Sequence, residues 1–309
     1  MSAALIGVDW GTTHLRAALM AADGAIIEPR RMPDGLRAVA DRNFERRLSA
    51  LVADWRALHG PLPILCSGMV GARTGWIEAP YCATPAHVQT IAEALVALDT
   101  PSLGRVHFAP GVRQGEHAGA HADVMRGEET QIVGALDMAG ERNGMFVLPG
   151  THSKWVEVED GAIRRFATFM TGDVYAALKD HTILSFTMND SWSEAGFHRG
   201  LDMARALEGP GDLLARLFWL RVAALEGALD PNATGSALSG LLIGAEMRQM
   251  AQGRAFTLVA GDALAQRYRQ AAKYFDVEAR VAPPTSAARG QWLLARAAGL
   301  IARRDGPKS

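Results

Sequence analysis

Several features that mark common classes of protein are scarce or missing in this chain of 309 residues. Only two cysteines occur, Cys66 and Cys82, without a Cys-x-x-Cys spacing, which indicates free thiols in a reducing compartment. The formal net charge is −1, so the chain lacks the basic excess that binding to a nucleic-acid backbone requires. The sequence shows neither a signal-peptide pattern nor an apolar run of membrane-spanning length. We therefore predict a cytoplasmic protein that binds neither nucleic acid nor membrane.

Two frequent phosphate-binding motifs are missing as well. The sequence contains no G-x-x-x-x-G-K-[ST] and no G-x-G-x-x-G, so neither a P-loop nor a dinucleotide-binding fold is indicated. What the chain does contain is ordinary globular material, with 49% hydrophobic and 21% charged residues. Its length exceeds the size at which a single core usually stops growing, which favours two domains of roughly 150 residues each.

One plan of sequence occurs twice in the chain. Residues 5–16 form an apolar run, a Gly-Thr turn and an alternating run, and residues 146–156 repeat that order. The tetrapeptide Asp-Gly-Ala-Ile follows each copy, at 23–26 and again at 160–163. Two copies of a strand-turn-strand-turn-strand unit indicate a duplicated domain. We therefore predict an N-terminal domain over 1–142 and a C-terminal domain over 143–309.

The spacing of apolar residues predicts α/β structure in both halves. The pattern Thr84-Pro85 is typical of an N-cap followed by proline in the first helical turn, and it predicts a helix over 84–98. Glycine-rich loops are expected at 67–76 and 111–126. The other predicted strands are 4–9, 14–20, 25–31, 63–66, 105–109, 145–149, 154–158, 162–169, 256–260 and 277–281, and the other predicted helices are 43–58, 127–136, 173–181, 192–207, 211–227, 233–251, one after Asp262, and 286–303.

The two Gly-Thr turns are the first candidates for a functional site. Backbone N–H groups and small hydroxyls in such turns can hold phosphate oxygens without a Walker lysine. Asp9, at the end of the first strand, could hold Mg²⁺ through water molecules. A single Asp-x-Gly-Thr pattern is more often an ordinary hairpin turn. Two turns at equivalent places of a duplication instead indicate a clamp on one polyphosphate.

Charged residues next to the glycine-rich loops give further candidates. Glu128 and Glu129 open a predicted helix, where acidic residues are stabilised by the helix dipole, but either could also take a proton from a substrate hydroxyl. His117 and His121 have the spacing of metal ligands on a helix, although the surrounding glycines and alanines indicate a loop and favour substrate contact or simple exposure. The Gly261-Asp262 junction between a strand and a helix suits a ligand edge or a phosphate.

Five blocks of the sequence resemble bacterial 2-dehydro-3-deoxygalactonokinases, which belong to the actin, hexokinase and Hsp70 superfamily. The blocks run in order from one end of the chain to the other, and the most specific of them contains Met-Arg-Gly-Glu-Glu-Thr-Gln. One departure is His14, where we expect asparagine. The blocks are 8–16, 68–71, 124–131, 149–156 and 238–246.

The resemblance implies a fold of two actin-like (ribonuclease H-like) domains. Each would contain a mixed five-stranded sheet flanked by helices, with an ATP cleft between them. It also implies ATP-dependent phosphorylation of 2-dehydro-3-deoxy-D-galactonate on its terminal C6 hydroxyl, in galactonate breakdown. In the register of the related sugar kinases, Glu128 stands at the position of the general base, and Glu129 is the alternative.

The resemblance further implies which residues contact each ligand. Mg²⁺ would be held by Asp9. Arg16 and Arg126 lie inside the resembling blocks, so we prefer them to Arg73 and Arg113 as substrate-binding arginines. ATP would be bound by Gly11, Thr12, Thr13, Gly150, Thr151, His152, Ser153, Lys154, Gly240, Gly244, Gly261, Asp262 and Ala263, and the sugar acid by Arg16, Gly68, Met69, Gly71, Trp76, His117 and Arg126.

Three alternatives remain open at this point. The chain could act on the gluco epimer or another sugar acid, because loop geometry decides the orientation of one hydroxyl. A phosphohydrolase of the same superfamily would transfer phosphate to water. A sugar-sensing regulator would need a DNA-binding segment, which we do not expect because the chain begins directly at the first strand. A homo-oligomer is left open.

Overall fold

The computed structural model describes residues 2–115, 122–189, 191–209 and 211–301. The helices are α1 (Phe44–His59), α2 (Val88–Glu93), α3 (Glu128–Ala139), α4 (Thr171–His181), α5 (Glu194–Arg205), α6 (Asp212–Leu225), α7 (Pro231–Met250), α8 (Asp262–Tyr274) and α9 (Ser286–Ala297). The strands are β1 (Ala3–Trp10), β2 (Leu15–Ala21), β3 (Ile26–Met32), β4 (Ile64–Ser67), β5 (Tyr81–Ala83), β6 (Ala86–His87), β7 (Val96–Thr100), β8 (Gly104–Phe108), β9 (Gly111–Gln114), β10 (Asp123–Met125), β11 (Gly144–Leu148), β12 (Ser153–Glu159), β13 (Ala162–Phe169), β14 (Phe256–Leu258) and β15 (Ala279–Val281).

Five strands of each six-stranded sheet follow one common order, as the sequence repeat predicts, and the sixth strand lies at opposite edges of the two sheets. The first is β3-β2-β1-β4-β8-β7 and the second is β15-β14-β11-β12-β13-β6. In the first, β4 and β8 follow parallel to β1, and in the second, β14 and β15 follow parallel to β11. The predicted number of five strands is wrong, because each sheet has one additional antiparallel edge strand, β7 in the first and β6 in the second.

The helix predicted for residues 84–98 is confined in the structure to Val88–Glu93, and both ends of the predicted range are strands. The Thr84–Pro85 peptide bond is cis, and α2 begins only at Val88. The Thr84 N–H donates to the Arg113 carbonyl over 2.9 Å, so this backbone extends the pairing of β5 with β9 and does not start a helix. Val96 and Leu98 alternate along β7 and pack against a hydrophobic core, which a strand achieves with a period of two.

A three-stranded sheet leads from the first large sheet towards α3. Its order is β10-β9-β5, with β9 and β10 antiparallel. The long loop predicted for 111–126 therefore contains two short strands. The predicted sites His117 and His121 lie outside the described residues.

Unit 1, the first of two compact units, contains the first large sheet. Helix α1 buries Phe44, Leu48, Val52 and Trp55 against this sheet, at the spacing of an amphipathic helix. Helices α3 and α9 pack closely, since a Cβ at Gly134 would lie 1.9 Å from the Ser286 carbonyl oxygen. That distance is far below contact, so the packing requires glycine.

Unit 2 has a separate core, formed by residues such as Val147, Trp155 and Tyr268. Its longest helix, α7, packs against α5 through glycines on both helices. A Cβ at Gly200 would lie 2.0 Å from the Ala237 carbonyl oxygen, and one at Gly240 would lie 2.1 Å from the Phe197 carbonyl oxygen. These backbone contacts fix α7 firmly beside α5.

The compact units are assembled differently from the two predicted ranges. Unit 1 comprises the described residues up to Gly144, then Val156–Phe166, and the described residues from Ala282 onward, and unit 2 comprises Met145–Trp155 and Ala167–Val281. The reason is that α9 packs on α3 and on the sheet of unit 1, as the contact between Gln291 and Ser67 shows. Among the described residues, no helix is long and apolar enough to span a bilayer.

Candidate active site

The first Gly-Thr turn joins β1 to β2 in unit 1 and is held by backbone hydrogen bonds from a neighbouring segment. The Leu36 N–H donates to the Gly11 carbonyl over 3.0 Å, and the Arg37 N–H donates to the Thr12 carbonyl over 3.3 Å. Within the described chain, the N–H groups of Thr12 and Thr13 have no hydrogen-bond acceptor. The carbonyl groups of this turn are already hydrogen-bonded, whereas its N–H groups can donate to an anion.

Asp9 lies beside this turn, where three segments of unit 1 meet. Its Oδ2 accepts a hydrogen bond from Arg16 over 3.1 Å, while its side chain is only 13% exposed. Burial raises the pKa of Asp9, and the Arg16 charge opposes that rise. A Cβ on Gly68 would come within 3.4 Å of Asp9 Oδ1, and one on Gly127 would come within 2.9 Å of the Gly68 Cα. The close approach of these glycines brings Asp9 and the start of α3 together.

Glu128 and Glu129 form the first turn of α3 and differ in environment. Glu128 is half-buried, and its Oε2 accepts from the Arg126 N–H over 2.9 Å. Glu129 is fully buried and accepts from the Gly127 N–H over 2.7 Å and from Thr130 Oγ1 over 2.8 Å. Burial, reinforced by the neighbouring Glu128 charge, raises the pKa of Glu129 to about 7. Such a carboxyl changes charge near neutral pH.

Arg126 is buried at 8% exposure, directly before this pair. Its Nη2 donates to the Ala79 carbonyl over 2.8 Å, and the guanidinium carbon lies 4.2 Å from the centre of the Tyr81 ring. Its Nε and Nη1 are buried without a hydrogen-bond partner among the described residues. A buried guanidinium with two unused donors is unfavourable unless it serves to bind an anion.

The other residues predicted for the sugar acid have mixed surroundings. Gly71 is buried beside Arg126, since a Cβ on it would lie 3.3 Å from Nη1. Gly68 adopts φ +93°, which favours glycine, and Met69 begins a short 3-10 turn after it. The Trp76 ring packs between Phe44 and Phe108 in the hydrophobic core of unit 1. A role for Trp76 at the sugar acid therefore stays a prediction.

The second Gly-Thr turn joins β11 to β12 in unit 2 and is anchored in a similar way. The Asp173 N–H, at the start of α4, donates to the Thr151 carbonyl over 3.0 Å. His152 Nε2 and Asp173 Oδ2 are 2.7 Å apart. Ser153 and Lys154 are buried in β12, the latter at 5% exposure.

A cavity of about 70 Å³ in unit 2 opens next to this turn. Of the residues predicted to contact adenosine, Gly240 and Gly244 do not line it, because both face α5 and have no room for a Cβ. Gly261 is the N-cap of α8, whose next turn contributes to the lining, so the prediction for 261–263 remains. The lining residues are Gly150, Thr171, Gly172, Tyr175, Ser239, Leu242, Ile243, Leu264, Arg267 and Tyr268.

Sequence reasoning missed two groups that the structure places here. Tyr81 lies under the Arg126 guanidinium, and no signal in the sequence pairs these positions. Glu246 accepts hydrogen bonds behind the unit 2 cavity, and here a signal existed. It is the only acidic residue of α7, which is otherwise largely apolar. An acidic residue on a buried helix usually has a specific partner, because acidic side chains are rarely buried without one.

Comparison with known proteins decides the family. The sequence matches the profile of the family described as 2-keto-3-deoxy-galactonokinase over residues 9–294. The chain belongs to this family. Membership confirms the predicted resemblance, and with it the prediction of a carbohydrate kinase.

Individual relatives agree with this membership. The 2-dehydro-3-deoxygalactonokinase of Escherichia coli (strain K12) is 36% identical over 276 residues, which cover 88% of this chain and 90% of the relative. A crystal structure from Sinorhizobium meliloti, provisionally named 2-dehydro-3-deoxygalactonokinase, has a TM-score of 0.85 at 33% identity and covers 95% of this chain and 98% of its own.

A more distant structure shares the fold alone. The activator of 2-hydroxyisocaproyl-CoA dehydratase from Clostridium difficile, solved with bound ADPNP, has a TM-score of 0.50 at 11% identity, with 95% of each chain covered. The predicted α/β fold with mixed sheets and flanking helices is confirmed.

Proposed function

We propose that the chain is an ATP-dependent kinase that phosphorylates 2-dehydro-3-deoxy-D-galactonate on its terminal C6 hydroxyl. Family membership and the name of the Escherichia coli relative support the substrate class. The observation that carries the proposal is the grouping of three features within unit 1: the acidic strand end at Asp9, the carboxylate pair that opens α3, and the buried guanidinium of Arg126.

Glu128 is proposed as the general base. It accepts the proton of the C6 hydroxyl while that oxygen forms a bond to the γ-phosphorus of ATP, and the bond from the γ-phosphorus to ADP breaks. Glu128 is half-buried, so a substrate hydroxyl can reach it, whereas Glu129 has no exposed surface. Glu129 remains the alternative, because its pKa near 7 suits a base.

Phosphate oxygens of ATP are assigned to the two Gly-Thr turns. In unit 1, the N–H groups of Thr12 and Thr13 are donors that no described residue accepts. In unit 2, the turn from Gly150 to Ser153 contributes with Lys154. Backbone donors and one ammonium group satisfy the main need of phosphoryl transfer, which is positioning and charge neutralisation.

The Asp9 carboxylate fits a magnesium site. Mg²⁺ is commonly held by one or two carboxylates together with phosphate oxygens and water. The 3.1 Å contact with Arg16 shows that this carboxylate already attracts a cation. When bound, Mg²⁺ would neutralise charge on the ATP phosphates, and Asp9 would hold it directly or through water.

The carboxylate of the sugar acid is assigned to Arg126. A guanidinium forms strong charge-assisted hydrogen bonds with carboxylates, and the Nε and Nη1 donors of Arg126 are unused by the described residues. The adenosine part of ATP is assigned to the unit 2 cavity between α4, α7 and α8, where Tyr175 and Leu264 offer apolar surface.

A coupled ADP-release assay with a panel of acceptors tests the proposal. We expect turnover with the galacto acid, less with the gluco epimer, and none with a neutral sugar of equal length. Equal turnover with the neutral sugar would contradict recognition of a carboxylate. Phosphate release without any acceptor would identify a phosphohydrolase instead.

A further inference from the structure

The buried carboxylate of Glu246 is the centre of a hydrogen-bonded cluster in unit 2. Glu246 lies on α7 at 2% exposure. Its oxygens accept from Ser153 Oγ over 2.7 Å, Trp155 Nε1 over 2.5 Å and Thr171 Oγ1 over 2.5 Å. The Tyr268 hydroxyl lies 3.0 and 3.1 Å from the two oxygens. Four donors thus converge on one carboxylate.

Among the described residues, no cation is a hydrogen-bond partner of Glu246. The four partners are three hydroxyls and an indole, all neutral. Burial raises the pKa of Glu246, and the hydrogen bonds from these four groups oppose that rise. A buried carboxyl group is costly, and a hydrophobic residue on α7 would be cheaper for folding alone. The free energy of folding therefore does not explain why a glutamate stands at this position of α7.

The donors come from the elements that surround the nucleotide assigned to unit 2. Ser153 ends the second Gly-Thr turn, Thr171 begins α4, and Tyr268 belongs to α8. Thr171 and Tyr268 also line the 70 Å³ cavity, so Glu246 lies directly behind its wall. One carboxylate thereby holds the turn and two walls of the cavity.

The turn and α4 also depend on each other through close backbone contact. A Cβ on Gly172 would lie 2.4 Å from the Gly150 carbonyl oxygen. A shift of α4 therefore displaces the turn, and the Thr171 bond to Glu246 fixes α4 at its first residue. Glu246 therefore contacts α4 at Thr171, and α4 in turn contacts the Gly150–Ser153 turn, to which we assign the phosphates.

We propose that Glu246 is a positioning residue for ATP, which holds the Gly150–Ser153 turn and the first turn of α4 in the geometry that binds nucleotide. This inference rests on the proposed function, since it takes the unit 2 cavity as the nucleotide site. Glu246 touches no substrate. It acts through Ser153, Thr171 and Tyr268.

Two variants separate this role from a general contribution to folding. Glu246→Gln keeps the shape of the side chain but exchanges one acceptor oxygen for an N–H donor, so it removes the acceptor that the Thr171 hydroxyl uses. Thr171→Val keeps the volume and removes one donor. Thr187→Val is the matched control, because its hydroxyl bonds only the Leu184 carbonyl in the same unit, away from the cavity.

Steady-state kinetics and ADP calorimetry give the test. For Glu246→Gln and for Thr171→Val, we expect the KM for ATP and the Kd for ADP each to rise about tenfold, the effect of one hydrogen bond to a charged group. The KM for the sugar acid should stay within twofold of the wild type. The double variant should show about tenfold and not a hundredfold, because both changes break the same bond.

Opposite results overturn the inference. An unchanged Kd for ADP in both single variants, or equal rises of both KM values, would mean that Glu246 only stabilises the fold. If Glu246→Gln does not fold, Thr171→Val and Ser153→Ala answer the same question, since each leaves the carboxylate in place. ADP calorimetry needs no sugar acid, so a wild-type chain that binds ADP without phosphorylating the acid would refute the proposed function and leave this test intact.

Discussion

Replacing Arg126 with methionine should separate binding of the sugar acid from stability. The guanidinium is buried with two N–H donors that no described residue accepts. Methionine has a similar length and no polar group, so it fills the space while removing both unused donors. We expect a large loss of acid recognition and a small change in the free energy of unfolding.

The magnitudes follow from the contacts. A hydrogen bond to a charged group contributes about 1.5–3 kcal/mol, so loss of the substrate carboxylate contact should raise the KM for the acid roughly 10- to 150-fold. The fold loses the 2.8 Å bond to the Ala79 carbonyl and the contact with the Tyr81 ring, which together are worth about 2 kcal/mol. It gains a similar amount because a buried charge with unused donors disappears. The unfolding free energy should therefore change by less than about 2 kcal/mol.

Kinetics with the sugar acid and urea unfolding of the same preparations provide the assay. Arg73→Met is the control, because that side chain is 86% exposed and only pairs with Glu78 over 3.3 Å. We expect the control to behave as the wild type in both measurements. A wild-type KM for the acid in Arg126→Met, or an equal rise of its KM for ATP, would show that Arg126 does not bind the carboxylate of the acid.

Three further predictions concern α3. Glu128→Gln should abolish phosphorylation while ADP binding, measured by calorimetry, stays near the wild-type value, and retained turnover would move the base to Glu129. Because the pKa of Glu129 rises from 4.5 to about 7 on folding, its ionisation destabilises the fold as the pH rises through this range. Glu129→Gln should therefore raise the unfolding free energy by about 3 kcal/mol at pH 8 and by nothing at pH 4 in urea titrations, and an equal gain at both would contradict the pKa. Gly134→Ala should lower Tm by roughly 2–12 °C, because its Cβ would clash with the Ser286 backbone, while Gly209→Ala, with open space around it, should leave Tm unchanged.

Local patterns in the sequence predict the strands and turns of the site, because these depend on neighbours in the chain. The Gly-Thr turns at 11–13 and 150–153 and the start of α3 at Glu128 follow from short motifs. The error at 84–98 arose where local and tertiary demands compete, since Thr84 uses its N–H to pair with β9. At such positions, the hydrogen bonds of the sheet outweigh the local preference of the sequence for a helix start.

Partners that are distant in the chain could not be predicted in this way. Ser153 and Glu246 are 93 positions apart, and Arg126 and Ala79 are 47 apart. Gly240 illustrates the same limit, because its place in a resembling block indicated a ligand, whereas its backbone contact with Phe197 shows helix packing. A glycine in a motif can either leave room for a ligand or allow two helices to pack closely. Which of the two applies depends on the element that faces the glycine in the structure.

The two glutamates that open α3 show how one turn can provide two different carboxyl groups. Burial raises the pKa of Glu129 to about 7, so near neutral pH this carboxyl group is protonated in a large fraction of the protein molecules. Glu128 lies in the same helical turn but is half-buried, so of the two carboxyl groups it is the one that a substrate hydroxyl can reach. We therefore expect Glu128, and not the fully buried Glu129, to accept the proton in the proposed reaction.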